Sequence, residues 1–200
     1  MSLERCAEIV RLGDPDKYMA AMMAPLPYRK KLIPVYAFNY EIGRIVYGSS
    51  DPTISEIKLK WWKEELLKSP SKGNTVRHEI LDPLLEIIIS NNVPLELFYK
   101  MLNARRFDIY SSHHESLFAQ LEYIRNIFSS LFEISLRSCM RSISENSLAC
   151  IREYGFAYGV ANLFAAAARL EQLGKMPIYL GKKSSLKIYS NSNSSIDYDG

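Results

Sequence analysis

Residues 36–47 read YAFNYEIGRIVY, and this stretch shows most clearly what kind of fold the chain adopts. Its apolar side chains recur every three or four positions, which is the spacing of one buried face of an α-helix. The same spacing extends back to Arg29, although Pro34 lacks a backbone donor and is expected to kink the helix or to lie in its first turn. The sequence therefore predicts a long helix with a wide apolar face over residues 29–47.

Helical spacing accounts for most of the remaining chain. It recurs over residues 17–24, 53–67, 77–91, 95–106, 116–139 and 144–170. No stretch alternates with a period of two for more than a few residues, so neither a strand nor a hairpin is predicted. We therefore expect an all-α fold, with one helical domain over residues 1–180. The Ser/Asn-rich tail over residues 181–200 is expected to be disordered.

Two of the predicted helices begin with recognisable capping residues. Asp14 is followed by Pro15, and an aspartate next to a proline is typical of a helix start. Thr53 and Glu56 have the spacing of a capping box, in which each side chain accepts a hydrogen bond from a free backbone amide. Both signals predict where a helix begins.

Composition and charge narrow the class of protein. The 200 residues carry a net charge of +3 and include 48% hydrophobic and 24% charged residues, an ordinary globular balance that does not indicate nucleic acid as a partner. The three cysteines have neither metal nor disulfide spacing, which favours a reducing compartment. Neither a signal peptide nor a transmembrane segment is predicted. We expect a cytoplasmic protein for which peripheral membrane contact stays open.

Several short motifs together resemble the squalene/phytoene synthase family. The similarity covers residues 14–180 and is most specific in the Tyr-Ala-Phe helix and in residues 57–66, which contain paired tryptophans. The matching pieces follow the family's order along the chain: Asp16-Lys17-Tyr18, Ala24-Pro25, Arg29, Tyr36-Ala37-Phe38, residues 57–66, Phe107-Asp108, Leu121-Glu122-Tyr123, Asn162 and Tyr179-Leu180. This resemblance implies an isoprenoid-synthase-like helical bundle, which here is C-terminally truncated relative to the family.

The resemblance also implies a chemistry that this chain has lost. Enzymes of the family condense two prenyl diphosphates, and aspartates on two helices hold the Mg²⁺ ions that neutralise the departing diphosphate. An ungapped match to those helices replaces the aspartates with five other residues: Gly43, Arg44, Tyr47, Ala166 and Leu170. We therefore expect no catalytic residue, no metal ligand and no cofactor.

The helices that carried the aspartates are nevertheless retained, so the pocket between them is expected to persist. Its predicted lining consists of Tyr36, Phe38, Tyr40, Glu41, Trp61, Trp62, Asp108, Tyr158 and Asn162. Glu41 lies one helical turn before Arg44 and is expected to pair with it or to face solvent. Asp108 is expected to pair with Arg105 or Arg106.

A non-catalytic branch of the family, the complex I assembly factor and related proteins, shows the same loss. The resemblance to that branch implies a protein that binds a lipid, a prenyl ligand or a partner protein, with a role in respiratory complex I assembly. Two alternatives stay open. One is an active transferase whose Mg²⁺ site has moved to other acids, for which the candidates are Glu41, Glu64, Glu65, Asp108 and Glu122. The other is a decaying remnant of such an enzyme.

Overall fold

The structure is a computed structural model that describes residues 2–48, 51–68, 77–111, 113–174 and 178–179. These residues are helical almost throughout, which confirms the predicted all-α class. The helices are α1 (Ser2–Gly13), α2 (Pro15–Met23), α3 (Leu26–Tyr47), α4 (Pro52–Lys68), α5 (Leu81–Asn91), α6 (Leu95–Tyr110), α7 (Leu117–Ile124), α8 (Ser130–Cys139) and α9 (Glu145–Gln172), with a π-helical segment, Arg125–Ser129, between α7 and α8. The predicted tail over residues 181–200 lies outside the described residues.

Helix α3 lies at the centre of the bundle and packs against α1, α2, α4, α5, α6 and α8. Its apolar face is buried as predicted, and Pro34 lies inside the helix among the buried residues. Phe38 is fully buried, and its ring meets Trp62 of α4 and Phe98 of α6 edge to face at centroid distances of 5.2 and 5.4 Å. Aromatic contacts of this kind add to the free energy of apolar burial. The core therefore fixes one side of α3 in place.

The capping prediction is right at one helix and wrong at the other. Asp14 caps α2 and accepts a hydrogen bond from the backbone amide of Lys17 at 3.1 Å. Helix α4 begins earlier than predicted, since the carboxylate of Asp51 accepts from the amide of Thr53 at 2.8 Å. Glu56 does not complete a capping box; its Oε1 forms an ion pair with Arg106 of α6 at 2.6 Å. The side chain of Glu56 thus takes part in a contact between two helices instead of the cap that the local pattern predicted.

The helix predicted over residues 116–139 is not uniform, because the Arg125–Ser129 segment has π-helical geometry. Helix α9 crosses this segment closely. A Cβ added to Gly155 would lie 2.7 Å from the carbonyl oxygen of Phe128 and 2.9 Å from the Cα of Ser129. The hydroxyl of Ser129 donates to the carbonyl of Arg152 at 2.7 Å, which ties the two helices together. π-segments of this kind are frequent near functional sites.

Within the described ranges, no helix combines the length and the apolar character needed to cross a membrane.

The close approach at Gly155 predicts opposite effects for two glycine substitutions. Gly155→Ala should lower the free energy of unfolding by about 2 kcal/mol, because the new methyl group would collide with backbone atoms that cannot move aside easily. Gly43→Ala is the matched control. A Cβ there would lie 3.5 Å from Arg105, an ordinary contact, and alanine favours a helix over glycine by about 1 kcal/mol. Urea unfolding of the two variants checks this, and a destabilised Gly43→Ala beside an unchanged Gly155→Ala would contradict the packing described here.

Candidate functional site

A cavity of about 420 Å³ lies between α3 and α9, and side chains of α2 and α6 close it. All five positions that the resemblance matches to the family's aspartates lie at its wall: Gly43, Arg44, Tyr47, Ala166 and Leu170. Two helices that are far apart in sequence thus face one space. The chemistry of this space depends on which side chains now line it.

Four cationic side chains and one carboxylate line the cavity. The cations are Lys17, Arg44, Arg105 and Arg169, and the acid is Asp14. Asp14 is not a free ligand, because its Oδ2 forms an ion pair with the Lys17 ammonium at 2.6 Å. The ammonium also donates to the hydroxyl of Tyr158 of α9 at 3.2 Å. The cavity wall is therefore positive, where the family's enzymes need negative charge.

Arg44 occupies one of the former aspartate positions and is held by a neighbour on the same helix. Its Nη2 lies 2.8 Å from Oε2 of Glu41, the pairing that the sequence suggested. Arg44 is exposed while Glu41 is half-buried. The guanidinium of Arg44 therefore stays accessible at the cavity while it pairs with Glu41.

Arg105 of α6 forms the most enclosed polar cluster at the site. Its Nη1 donates to Oδ2 of Asp108 and to the hydroxyl of Tyr123, both at 3.2 Å, and the same hydroxyl donates to Asp108 at 2.7 Å. Burial lowers the pKa of Arg105, but Tyr123 and Asp108 outweigh it and raise the pKa above its usual value. Burial also raises the pKa of Tyr123 well above its usual value, so this phenol stays protonated. Arg105 is therefore a permanent cation.

Two buried polar atoms at the cavity lack a hydrogen-bond partner among the residues that the structure describes. They are Nε of Arg105 and Oδ1 of Asn39, whose side chain is only 7% exposed. Both residues line the cavity. Buried donors and acceptors without partners are rare and costly in folded proteins, so each atom would gain a hydrogen bond if its side chain turned toward a polar group in the cavity.

The residues at the cavity do not fit a Mg²⁺ ion, which prefers several hard oxygen ligands. No cluster of three or more metal-ligating side chains occurs in the described part of the chain. The acids proposed for a relocated metal site either pair with cationic side chains or lie apart from one another. Glu41 and Asp108 pair with arginines, Glu65 accepts from Lys68 at 2.8 Å, Glu64 faces Lys60 at 3.9 Å, and Glu122 is exposed on α7.

The residues predicted to line the pocket separate into three groups. Tyr40 and Asn162 line the cavity directly. Glu41, Asp108 and Tyr158 touch it through the cations that they contact, as described above. The structure places the other four elsewhere: Phe38 and Trp62 are buried in the core, Trp61 packs on Trp62 and His78, and Tyr36 is half-buried beside that core.

Sequence reasoning did not predict seven residues that line the site, namely Asp14, Lys17, Asn39, Arg105, Phe128, Arg169 and Leu173. Lys17 belongs to a matching motif, and Arg169 directly precedes a former aspartate position, but neither position reveals which way its side chain faces. A groove of about 660 Å³ between α4 and α6 is larger, yet none of the five replaced positions lines it. The cavity between α3 and α9 is therefore the candidate site.

Comparison with known proteins shows what this fold is similar to. A sequence model of the squalene/phytoene synthase family matches residues 10–184. Solved structures with a similar fold include the squalene synthase HpnC from Alicyclobacillus acidocaldarius, at a TM-score of 0.75 and 19% identity, covering 88% of this chain and 65% of that one. A dehydrosqualene synthase gives a TM-score of 0.75 at 18% identity, covering 90% of this chain and 60% of that one.

Two curated relatives have names that refer to an assembly role. The chain is 22% identical over 131 residues to "NADH dehydrogenase (ubiquinone) complex I, assembly factor 6" of Bos taurus, covering 66% of this chain and 39% of that protein. It is 24% identical over 165 residues to the Drosophila melanogaster homolog, covering 80% and 49%. The chain therefore spans half or less of the length of these relatives.

The Arg105 cluster predicts that Asp108 stabilises the fold. Asp108→Ala should lower the free energy of unfolding by about 3 kcal/mol, because it leaves a largely buried guanidinium without its carboxylate. Glu96→Ala, which removes the exposed partner of Lys100, is the matched control and should cost less than about 1 kcal/mol. Chemical denaturation of both variants measures the difference. Equal losses in the two variants would be incompatible with a buried role for the Arg105–Asp108 pair.

Proposed function

The chain belongs to the squalene/phytoene synthase family, and we propose that it is a catalytically degenerate member. It binds a lipid or a partner protein instead of converting a substrate, and it acts in the assembly of respiratory complex I. No catalytic residue and no metal ligand is assigned to it.

The positive charge of the cavity is the observation that supports the loss of catalysis. Release of a diphosphate requires divalent cations to neutralise it, and those cations require carboxylates on the cavity wall. Here the five corresponding positions hold two small residues, an arginine, a tyrosine and a leucine. The remaining acid, Asp14, is bound to Lys17. A positive wall repels Mg²⁺ and cannot assemble the ion cluster on which the transfer depends.

Two further observations support a binding role. The cavity combines polar groups with the apolar side chains of Phe128, Leu170 and Leu173, a mixture that suits a small amphiphile such as a lipid. On the outer surface of α9, Tyr154 and Phe164 are 61% and 62% exposed, so apolar surface is available to a protein partner. The names of the relatives supply the assembly role, which is extended here to a chain that covers only part of their length.

An assay of turnover tests the catalytic part directly. The purified protein, incubated with farnesyl diphosphate or geranylgeranyl diphosphate and Mg²⁺, should release no more pyrophosphate than buffer alone. A squalene synthase with its aspartates intact, assayed in parallel, confirms that the conditions support transfer. Pyrophosphate release that depends on Mg²⁺ and disappears with a chelator would show instead that the protein is an enzyme with a relocated metal site.

Deletion of the gene in its source organism tests the assembly role. Fully assembled complex I and its NADH oxidation activity should fall, while succinate oxidation by complex II, the internal control, should not change. Re-expression of the wild-type chain should restore complex I. If complex I is assembled normally without this protein, the assembly role is wrong even where the turnover assay shows no enzyme activity.

A further inference from the structure

We infer that the cavity between α3 and α9 binds the phosphate group of an amphiphile directly, through arginine and lysine side chains and without a divalent metal. This inference rests on the proposed binding function and names the chemical class of its ligand. Where the family's enzymes use carboxylates and Mg²⁺ to hold a phosphate, this chain presents the positive charge on its own side chains.

The first step is that the cavity offers several cationic hydrogen-bond donors. Arg44, Arg105 and Arg169 line one cavity, and guanidinium groups bind phosphate oxygens through parallel charge-assisted hydrogen bonds. Lys17 adds an ammonium group at the α2 side of the cavity. Arg44 replaces a former aspartate, so the sign of charge at that position is reversed.

The second step is that the neighbouring acids do not use up these donors. Asp14, Glu41 and Asp108 each pair with one cation, but Glu41 occupies only Nη2 of Arg44 and Asp108 only Nη1 of Arg105. An arginine has five N–H donors, so each keeps several. Arg169 is exposed and has no carboxylate partner within the described residues. The cluster therefore keeps a net positive charge and free donors.

The third step is the pair of buried polar atoms without partners. Nε of Arg105 is an N–H donor shielded from solvent, and a phosphate oxygen is an acceptor that would satisfy it once the guanidinium turned toward the cavity. Oδ1 of Asn39 is an enclosed acceptor, which a hydroxyl of a protonated phosphate or of its ester would satisfy. Both atoms belong to residues that line the cavity. Of the two, Nε of Arg105 is the atom that matches an anionic ligand, because it is an N–H donor on a permanent cation.

The fourth step concerns the rest of the ligand. Leu170 has replaced a carboxylate, and Phe128 and Leu173 line the same cavity, so apolar wall lies beside the cations. Gly43 leaves Arg105 in ordinary contact distance of α3 without a side chain between them. A volume of about 420 Å³ accommodates a phosphate group and a hydrocarbon chain. A phosphate amphiphile fits this wall better than a free phosphate ion does.

Calorimetric titration with three matched probes tests the inference in the presence of a chelator. Octyl phosphate supplies both the charge and the chain, inorganic phosphate supplies only the charge, and octanol supplies only the chain. We expect octyl phosphate to bind at least about tenfold more tightly than either control, because a charge-assisted hydrogen bond and apolar burial each contribute about a factor of ten. Replacing the chelator with Mg²⁺ should leave the affinity unchanged, whereas raising the salt concentration should weaken it.

Two variants locate the binding in this cavity. Arg169→Ala should weaken octyl phosphate about tenfold. Arg141→Ala, which removes an exposed arginine outside the cavity, is its matched control and should have no effect. Ala166→Asp restores a carboxylate to the wall and should abolish binding through repulsion. Circular dichroism checks that each variant stays folded.

Several results would overturn the inference. They are the absence of octyl phosphate binding, equal affinity for inorganic phosphate, binding that requires Mg²⁺, or equal effects of Arg169→Ala and Arg141→Ala. None of these would by itself contradict the proposed function, which fails instead on Mg²⁺-dependent pyrophosphate release or on normal complex I assembly in the deletion strain. The two proposals are therefore distinguishable.

Discussion

The burial of α3 is the constraint on which the rest of the structure depends. Phe38 holds one side of this helix between Trp62 and Phe98, and six other helices pack around it. The opposite side of the same helix presents Tyr40, Gly43, Arg44 and Tyr47 to the cavity. Because the core fixes the rotation of α3, it also determines which residues face the site.

The side chains at the cavity wall set the electrostatics of the site. Carboxylates that would attract divalent cations are absent from the five positions, and arginines from α3, α6 and α9 face the space between the helices. Permanent guanidinium charges bind anions without an intermediary ion. The acids that remain nearby hold these cations in place. Glu41, Asp108 and Asp14 thus serve mainly to orient Arg44, Arg105 and Lys17.

The far wall of the cavity depends on close packing. Helix α9 passes Phe128 and Ser129 at a distance that only glycine at position 155 permits, and Gly159 faces the ring of Phe128 in the same way. Phe128 belongs to the π-helical segment and also lines the cavity. The irregular turn and the glycines of α9 therefore act together. They set how near the helix that carries Asn162, Ala166 and Arg169 comes to α3.

The sequence predicted much of the fold because helix formation and amphipathic burial depend on residues close together in the chain. The apolar spacing of α3, the cap at Asp14, the pairing of Glu41 with Arg44 and that of Asp108 with Arg105 are all local, and the structure contains each of them. Where a distant side chain competed, local reasoning was wrong. Glu56 pairs with Arg106 instead of capping α4, and the helix expected over residues 116–139 contains a π-helical segment against α9.

The sequence by itself determined the all-α class and the family, because both follow from residue types at given positions along the chain. Only the tertiary structure decided the sign of charge in the cavity. Lys17, Arg105 and Arg169 lie on three helices, and nothing in their local sequence shows that they face one space. The same holds for Trp61 and Trp62, which pack at the core instead of the pocket. Charges add up at a site according to which helix faces converge, and that convergence is a result of packing.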